Sequence, residues 1–301
     1  MRSPYFNVNK DLAAKADKQL SLALFRKMCL VRYFEAGIID AIDTKKITYP
    51  VYLSSGQESL AAALSLKVRD YMIFAQHRAH DVYLTFGGDP VKLRDELLGL
   101  SSGTSQGKAG SNCIQYFDRG ISMFGHHGLI GENVPQAVGA ALGSGRNTLC
   151  LVGDGAAEED YVMASLGFAA THSLPVLFVC VDNDLSILTK TAQRRNWSIS
   201  SMASSLGIPS VDLSDDPWTI LDNLDRMTLK LPAFINCYVC RAFWHVGVGI
   251  DGAPEWNRFS MVKECLSLNG YTKEIDLIES DIKQDMEKLW ETKLSLKQSG
   301  R

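Results

Sequence analysis

The period at which apolar residues recur changes several times along the chain, and these changes outline an α/β protein. Over residues 10–43, Leu20, Leu22, Leu24, Phe25, Met28, Leu30, Val31 and Phe34 recur near every 3.6 positions, which predicts a helix. Gly56-Gln57-Glu58 opens a second helix that runs through Leu66. Tyr71-Met72-Ile73-Phe74-Ala75 reads as a short strand, ended by the polar Gln76-His77-Arg78. Leu149-Cys150-Leu151-Val152 and Pro175-Val176-Leu177-Phe178-Val179-Cys180-Val181 are two further apolar runs, with a helix expected over 158–172 between them. Strand, helix, strand, with both strands apolar at nearly every position, is the pattern of a parallel sheet covered on both faces. Phe234 to Cys240 reads as another such strand, and residues 255–296 as mostly amphipathic helix.

Residues 101–133 are rich in Gly and Ser, and a loop that long in a compact domain is usually functional. The helix expected from Val134 carries Gly139, Ala140, Ala141 and Gly143, small residues that suit packing between subunits and core packing equally. With no internal repeat and no low-complexity linker, the expectation is one domain over 1–301. It has a helical segment at 1–45, an α/β core at 46–250 and a helical segment at 251–301.

Composition narrows the class. The chain is 46% hydrophobic and 22% charged with a net charge of −3, which suits a globular protein. Lys and Arg are interspersed with Asp and Glu, so no basic stripe argues for nucleic acid. No uncharged apolar run reaches eighteen residues, and Lys10, Lys15, Asp17 and Lys18 break up the N-terminal stretch, so neither a membrane span nor a signal peptide is expected. Seven cysteines, an odd number, fit a reducing compartment and a cytoplasmic location better than a disulfide framework. Cys237 and Cys240 form a lone C-x-x-C inside an expected strand, where residues three apart point to opposite faces, so both read as core cysteines.

The candidate chemistry lies at strand ends. Gly153-Asp154-Gly155-Ala156 follows one strand, and ligands of open α/β sheets bind outside the carboxyl ends of strands. The glycines let the backbone approach an anion, and N–H groups at a helix start favour negative charge. Asp154 would repel a bare phosphate but not one shared with a hard cation. The next strand ends in Asp182-Asn183-Asp184-Leu185, so Asp154, Asn183 and a loop carbonyl fit a magnesium ion that also takes diphosphate oxygens. From these residues alone, a pair of turns reads equally well. The G-x-G-x-x-G at Gly247, Gly249 and Gly252 opens no clean helix and reads as a flexible loop.

Six blocks in order resemble the alpha subunits of the thiamine-diphosphate-dependent 2-oxo acid dehydrogenases, the first component of the pyruvate, branched-chain and acetoin complexes. They are Arg32-x-Phe34-Glu35, Gly56-Gln57-Glu58-Ser59, Arg78-Ala79-His80, Gly107-Lys108-Ala109-Gly110-Ser111, Gly128-Leu129-Ile130-Gly131 with Val134-Pro135, and Gly153-Asp154-Gly155-Ala156 to Asn183. The resemblance runs from about residue 20 to 290. It implies thiamine diphosphate and magnesium, with Asp154, Asn183 and the carbonyl of Leu185 on the metal. It also implies His77, where the family has Tyr, and Arg78 on the diphosphate, with Gly155 and Ala156 offering N–H groups. Gly128 and Ile130 would face the aminopyrimidine, and Leu129 would wedge the cofactor into its bent shape. His245 and His80 are the implied catalytic histidines, although Phe243-Trp244-His245-Val246-Gly247 departs from the family pattern and a surface histidine remains open there.

The activating Glu belongs to a beta subunit in this family, so the resemblance implies an α2β2 heterotetramer and an alpha chain inactive alone. The implied reaction decarboxylates a 2-oxo acid and passes the acyl group to a lipoyl acyltransferase. Two family histidines are replaced, by Tyr52 and Cys113, and His126-His127 is an unusual pair that serves equally as polar filler. These departures keep open a carboligase or transketolase-like subunit that hands the carbanion to an aldehyde or sugar. A non-enzymatic subunit fits poorly with intact Asp154, Asn183 and Arg78.

Overall fold

The computed structural model describes residues 7–126 and 128–291. Nine strands are present among them: β1 Met72–Phe74, β2 Tyr116–Asp118, β3 Ile121–Phe124, β4 Thr148–Gly153, β5 Val176–Asp182, β6 Leu185–Ser186, β7 Thr189–Lys190, β8 Ser210–Ser214 and β9 Ala233–Tyr238. Seven form one sheet in the order β2-β3-β1-β4-β5-β9-β8, parallel except for the β2–β3 hairpin, and β6–β7 is a separate small hairpin. The mostly parallel α/β architecture expected from the apolar runs is present. The strand ends are level: Gly153 stands opposite Val181, and Asp182 opposite Tyr238.

Alternation along the strands builds two cores. Ile73, Leu149, Leu151, Leu177, Val179 and Ile235 pack with helices Lys18–Asp43, Glu58–Lys67, Pro217–Met227, Arg258–Leu268 and Thr272–Glu291. Phe74, Cys150, Val152, Phe178, Cys180 and Phe234 face helices Asn133–Ser144, Asp160–Thr171 and Ile199–Ser205 on the other side. No helix among the described residues is long and apolar enough to cross a membrane.

The helix expected over 10–43 is two, Lys10–Lys15 and Lys18–Asp43. Asp17 divides them because its carboxylate accepts the N–H of Leu20 at 2.9 Å, capping the second helix. Asp17→Ala is expected to cost about 1 kcal/mol and to lower the thermal midpoint in calorimetry; an unchanged midpoint would remove the cap from this account. The 101–133 loop contains β2–β3, joined by Arg119 and Gly120, both at positive φ (51° and 80°), as a two-residue hairpin turn of this hand requires. β9 ends at Tyr238, so Cys240 is not a core strand residue: it lies past the strand, half-buried, while Cys237 is buried and both thiols are free. Of the helix expected over 255–296, residues 292–296 lie outside the described residues.

Candidate active site

β1, β4, β5 and β9 end at one edge of the sheet, and the chain leaving each of them lines a common cavity. After β1 come Gln76, His77 and Arg78; after β4, Asp154, Gly155 and Ala156; after β5, Asn183, Leu185 and Ile187; after β9, Arg241 and His245. The loop following β3 adds His126 and Ile130.

Local rules explain the turns. A Cβ on Gly155 would stand 2.5 Å from Ser186 Oγ, so only glycine lets the chain after β5 pass so close to the turn after β4. Ala156–Glu158 is a 3-10 turn that separates this bend from helix Asp160–Thr171. Beyond β5, Asp182 Oδ1 accepts the N–H of Asp184 at 3.0 Å and Asn183 Oδ1 accepts that of Leu185 at 3.1 Å. Asp184 takes a φ of 68°, a conformation short polar side chains tolerate. Asn183 Oδ1 keeps a second lone pair for another donor or a cation.

The cavity is strongly cationic on one wall. Arg78 is buried, and its guanidinium donates to the carbonyls of Leu53 and His245 (the latter at 3.3 Å) rather than to a carboxylate. Arg241 pairs with Asp251 and donates to Ile187 O at 3.2 Å, but its buried Nη1 has no partner among the described residues, nor has His77 Nε2. Burial, then the neighbouring charge of Arg241, lowers Arg78 to about 10, which leaves it charged at neutral pH. Buried guanidiniums with spare donors are an anion site waiting for charge-assisted hydrogen bonds.

The imidazoles differ in kind. Tyr52, His77 and His245 meet ring to ring, with centroids 5.1, 5.3 and 5.4 Å apart, and His126 lies 6.1 Å from His77. Burial, followed by the charge of Arg78, holds His77 well below the usual histidine value and lowers His245 to about 4. Both are therefore neutral at pH 7, able to donate or accept a hydrogen bond without adding charge.

Three expected site residues stand outside the cavity lining. His80 is completely buried: Nδ1 lies 2.8 Å from Glu35 Oε1 and Nε2 2.9 Å from Ser111 Oγ. Both ring nitrogens are thus engaged, and the side chain is not among those that line the cavity. The N–H of Gly128 donates to His126 Nδ1 at 3.0 Å, and the Leu129 side chain is exposed. His127 lies outside the described residues. Arg241 was missed in the sequence, although a lone Arg one residue after an apolar strand, at the edge shared with Asp154, was the available signal.

A profile of the family described as "Dehydrogenase E1 component" matches residues 26–222. The chain belongs to that family. Among dehydrogenase E1 relatives, it is 28% identical over 276 residues to the alpha subunit of acetoin:2,6-dichlorophenolindophenol oxidoreductase of Cupriavidus necator, covering 86% of this chain and 82% of that protein. It is 32% identical over 225 residues to the pyruvate dehydrogenase E1 component alpha subunit of Zymomonas mobilis, covering 71% and 60%. The mitochondrial alpha-1 subunit from Oryza sativa subsp. japonica is 32% identical over 168 residues, covering 54% of this chain and 43% of the plant protein. This chain thus spans most of the acetoin relative and less than half of the plant one. The fold is shared with transketolase from Leishmania mexicana, at a TM-score of 0.56 and 15% identity over 90% of this chain and 46% of that one. Within the E1 chain, no cluster of three or more His, Cys, Asp or Glu among the described residues could hold a metal. Asp154 is the one carboxylate among the described residues that line the cavity.

Proposed function

We propose that this chain binds thiamine diphosphate through magnesium and works with a beta subunit as the alpha subunit of a 2-oxo acid dehydrogenase. The observation that carries the reading is the charge pattern of the cavity. Buried Arg78 and Arg241, the latter with an orphaned nitrogen, share one cavity with the oxygen donors Asp154 and Asn183. That is the pattern a metal-bound diphosphate needs: guanidiniums for the phosphate oxygens, hard oxygens for the cation. The residues present fit the group. Asp154, Asn183 Oδ1 and the carbonyl of Leu185 would hold magnesium. Arg78, Arg241 and His77 would hold the diphosphate, with N–H groups from Gly155 and Ala156. Gly128, Leu129 and Ile130, on the loop after β3, would face the aminopyrimidine.

When bound, thiamine diphosphate supplies a nucleophilic carbon and an electron sink for breaking the bond next to a carbonyl. The chain's own part is to bind the diphosphate and to orient the reacting groups. His245, neutral at pH 7, is placed to orient a substrate oxygen or to take up a proton at its free ring nitrogen. Exposed Leu129, Ile187, Leu188, Trp244 and Ile250 lie on loops of the same edge. Large apolar side chains around a site suit cover by another protein surface, and the beta subunit with its activating Glu is the proposed cover, in an α2β2 assembly. A lipoyl acyltransferase is the proposed acyl acceptor.

The test is co-expression with a beta-type chain from the same genome, followed by dye-linked assays on pyruvate and branched 2-oxo acids. Reduction that needs magnesium, thiamine diphosphate and both chains is the expected result. A carbon–carbon coupling product with an aldehyde and no dye reduction favours the carboligase. Neither activity from a complex that holds the cofactor overturns the enzymatic reading.

A further inference from the structure

Asp154 is held by a clamp that its own strand does not supply. Both hydrogen bonds to its side chain fall on one oxygen: Arg194 Nη2 donates to Oδ2 at 2.9 Å and Thr191 Oγ1 at 3.2 Å. None from the described residues falls on Oδ1. Arg194 is itself pinned, because Nε donates to Glu158 Oε1 at 3.0 Å and Nη1 to Thr189 O at 2.5 Å. Beside it, Arg195 Nη1 donates to the backbone oxygen of Asp154 at 2.8 Å and to Glu158 Oε1 at 2.7 Å. The side chains of Arg194 and Arg195 are only 13% and 3% exposed. Asp154 lines the cavity and Arg194 does not, so the guanidinium grips the carboxylate from outside the cavity.

We propose that Arg194, seconded by Thr191, is a positioning residue for the cation: it fixes Oδ2 of Asp154 so that Oδ1 is the oxygen offered to magnesium. The inference rests on the magnesium-diphosphate reading above. A carboxylate rotates easily about its last torsion, and anchoring one oxygen removes that freedom before the metal arrives. Partners that orient metal ligands are worth about 10- to 100-fold in metal affinity. The opposing effect is charge, since a guanidinium beside the site repels a cation. Glu158 offsets it by pairing with both arginines. Orientation and repulsion predict opposite signs for the removal of Arg194, so the sign is the test.

The experiment titrates the full chain, together with its beta partner, with Mg2+ at saturating thiamine diphosphate in a calorimeter. The unaltered protein is compared with Arg194→Gln, Arg194→Lys and Thr191→Val. The expected result is that Arg194→Gln raises the half-saturating magnesium concentration about 10- to 100-fold. Thr191→Val moves it less in the same direction, and Arg194→Lys restores little, because one ammonium cannot serve Asp154, Glu158 and Thr189 O in a fixed fork. A purely structural role would lower the ligand-free thermal midpoint and leave the magnesium half-saturation of folded protein where it was. Unchanged or tighter magnesium binding in Arg194→Gln and Thr191→Val overturns the inference while leaving the cofactor reading intact. Failure of the unaltered protein to bind thiamine diphosphate with magnesium overturns both.

Discussion

Asp154→Asn is expected to abolish magnesium-dependent binding of thiamine diphosphate, weakening it by at least about 100-fold, or roughly 2.7 kcal/mol. The substitution keeps the side chain's shape and removes the one carboxylate among the described residues that line the cavity, since Asn183 and a backbone carbonyl are neutral. Arg78 and Arg241 would still attract the diphosphate, so residual binding should lose its dependence on magnesium rather than vanish. Isothermal calorimetry with and without Mg2+ separates these cases, and full magnesium-dependent affinity in the variant would overturn the site assignment. The fold should survive, because the Arg194 partner retains Glu158.

The largest stability effect is expected at His80. Glu35 is completely buried and accepts from Ser54 N and Ser55 N, both at 2.7 Å, from Ser55 Oγ at 2.5 Å and from His80. Burial alone would raise its carboxyl, but the hydrogen bond and charge of His80, with those of Ser54 and Ser55, outweigh it and hold the group below the usual carboxylate value. His80→Ala removes one partner of a buried carboxylate. Breaking such a pair costs about 3–5 kcal/mol, with the lower end expected because three donors remain. The thermal midpoint should fall on the order of 10 °C. The sign with pH follows from the lowered value: Glu35 contributes stability above the ordinary carboxylate range and loses it as pH falls through its depressed value. Without His80 that value rises, so the variant should acid-unfold at a higher pH. Denaturant melts at pH 4 and pH 7 that lose equal stability would refute this account.

The central sheet was legible because its strands are apolar on both faces: Leu149–Val152 and Val176–Val181 stand out without reference to anything else. β8 did not, because it lies at the sheet edge and carries Asp212, which accepts from Ser200 Oγ, Asn236 Nδ2 and Tyr238 Oη rather than packing against apolar neighbours. Asp154 and Asn183 were legible as strand-end polar residues flanked by turn formers. Arg194 was not, since nothing in Thr191-Ala192-Gln193-Arg194 says that the chain folds back on Asp154 forty residues earlier. The surroundings of His80 were not legible either. Its neighbour Arg78 reaches the cavity, but the helix His80–Thr85 begins at His80 and turns that side chain toward Glu35 instead.

The level ends of β4, β5 and β9 carry a consequence for how this protein can vary. Each strand advances about 3.3 Å per residue and alternates its faces, so deleting one residue within β5 would withdraw Asn183 by that distance and turn it over, even if the sheet still paired. Loops beyond the tips face no such constraint. New specificities should therefore arise by rewriting the segments around Ile130, Ile187 and Val246, while strand lengths stay fixed.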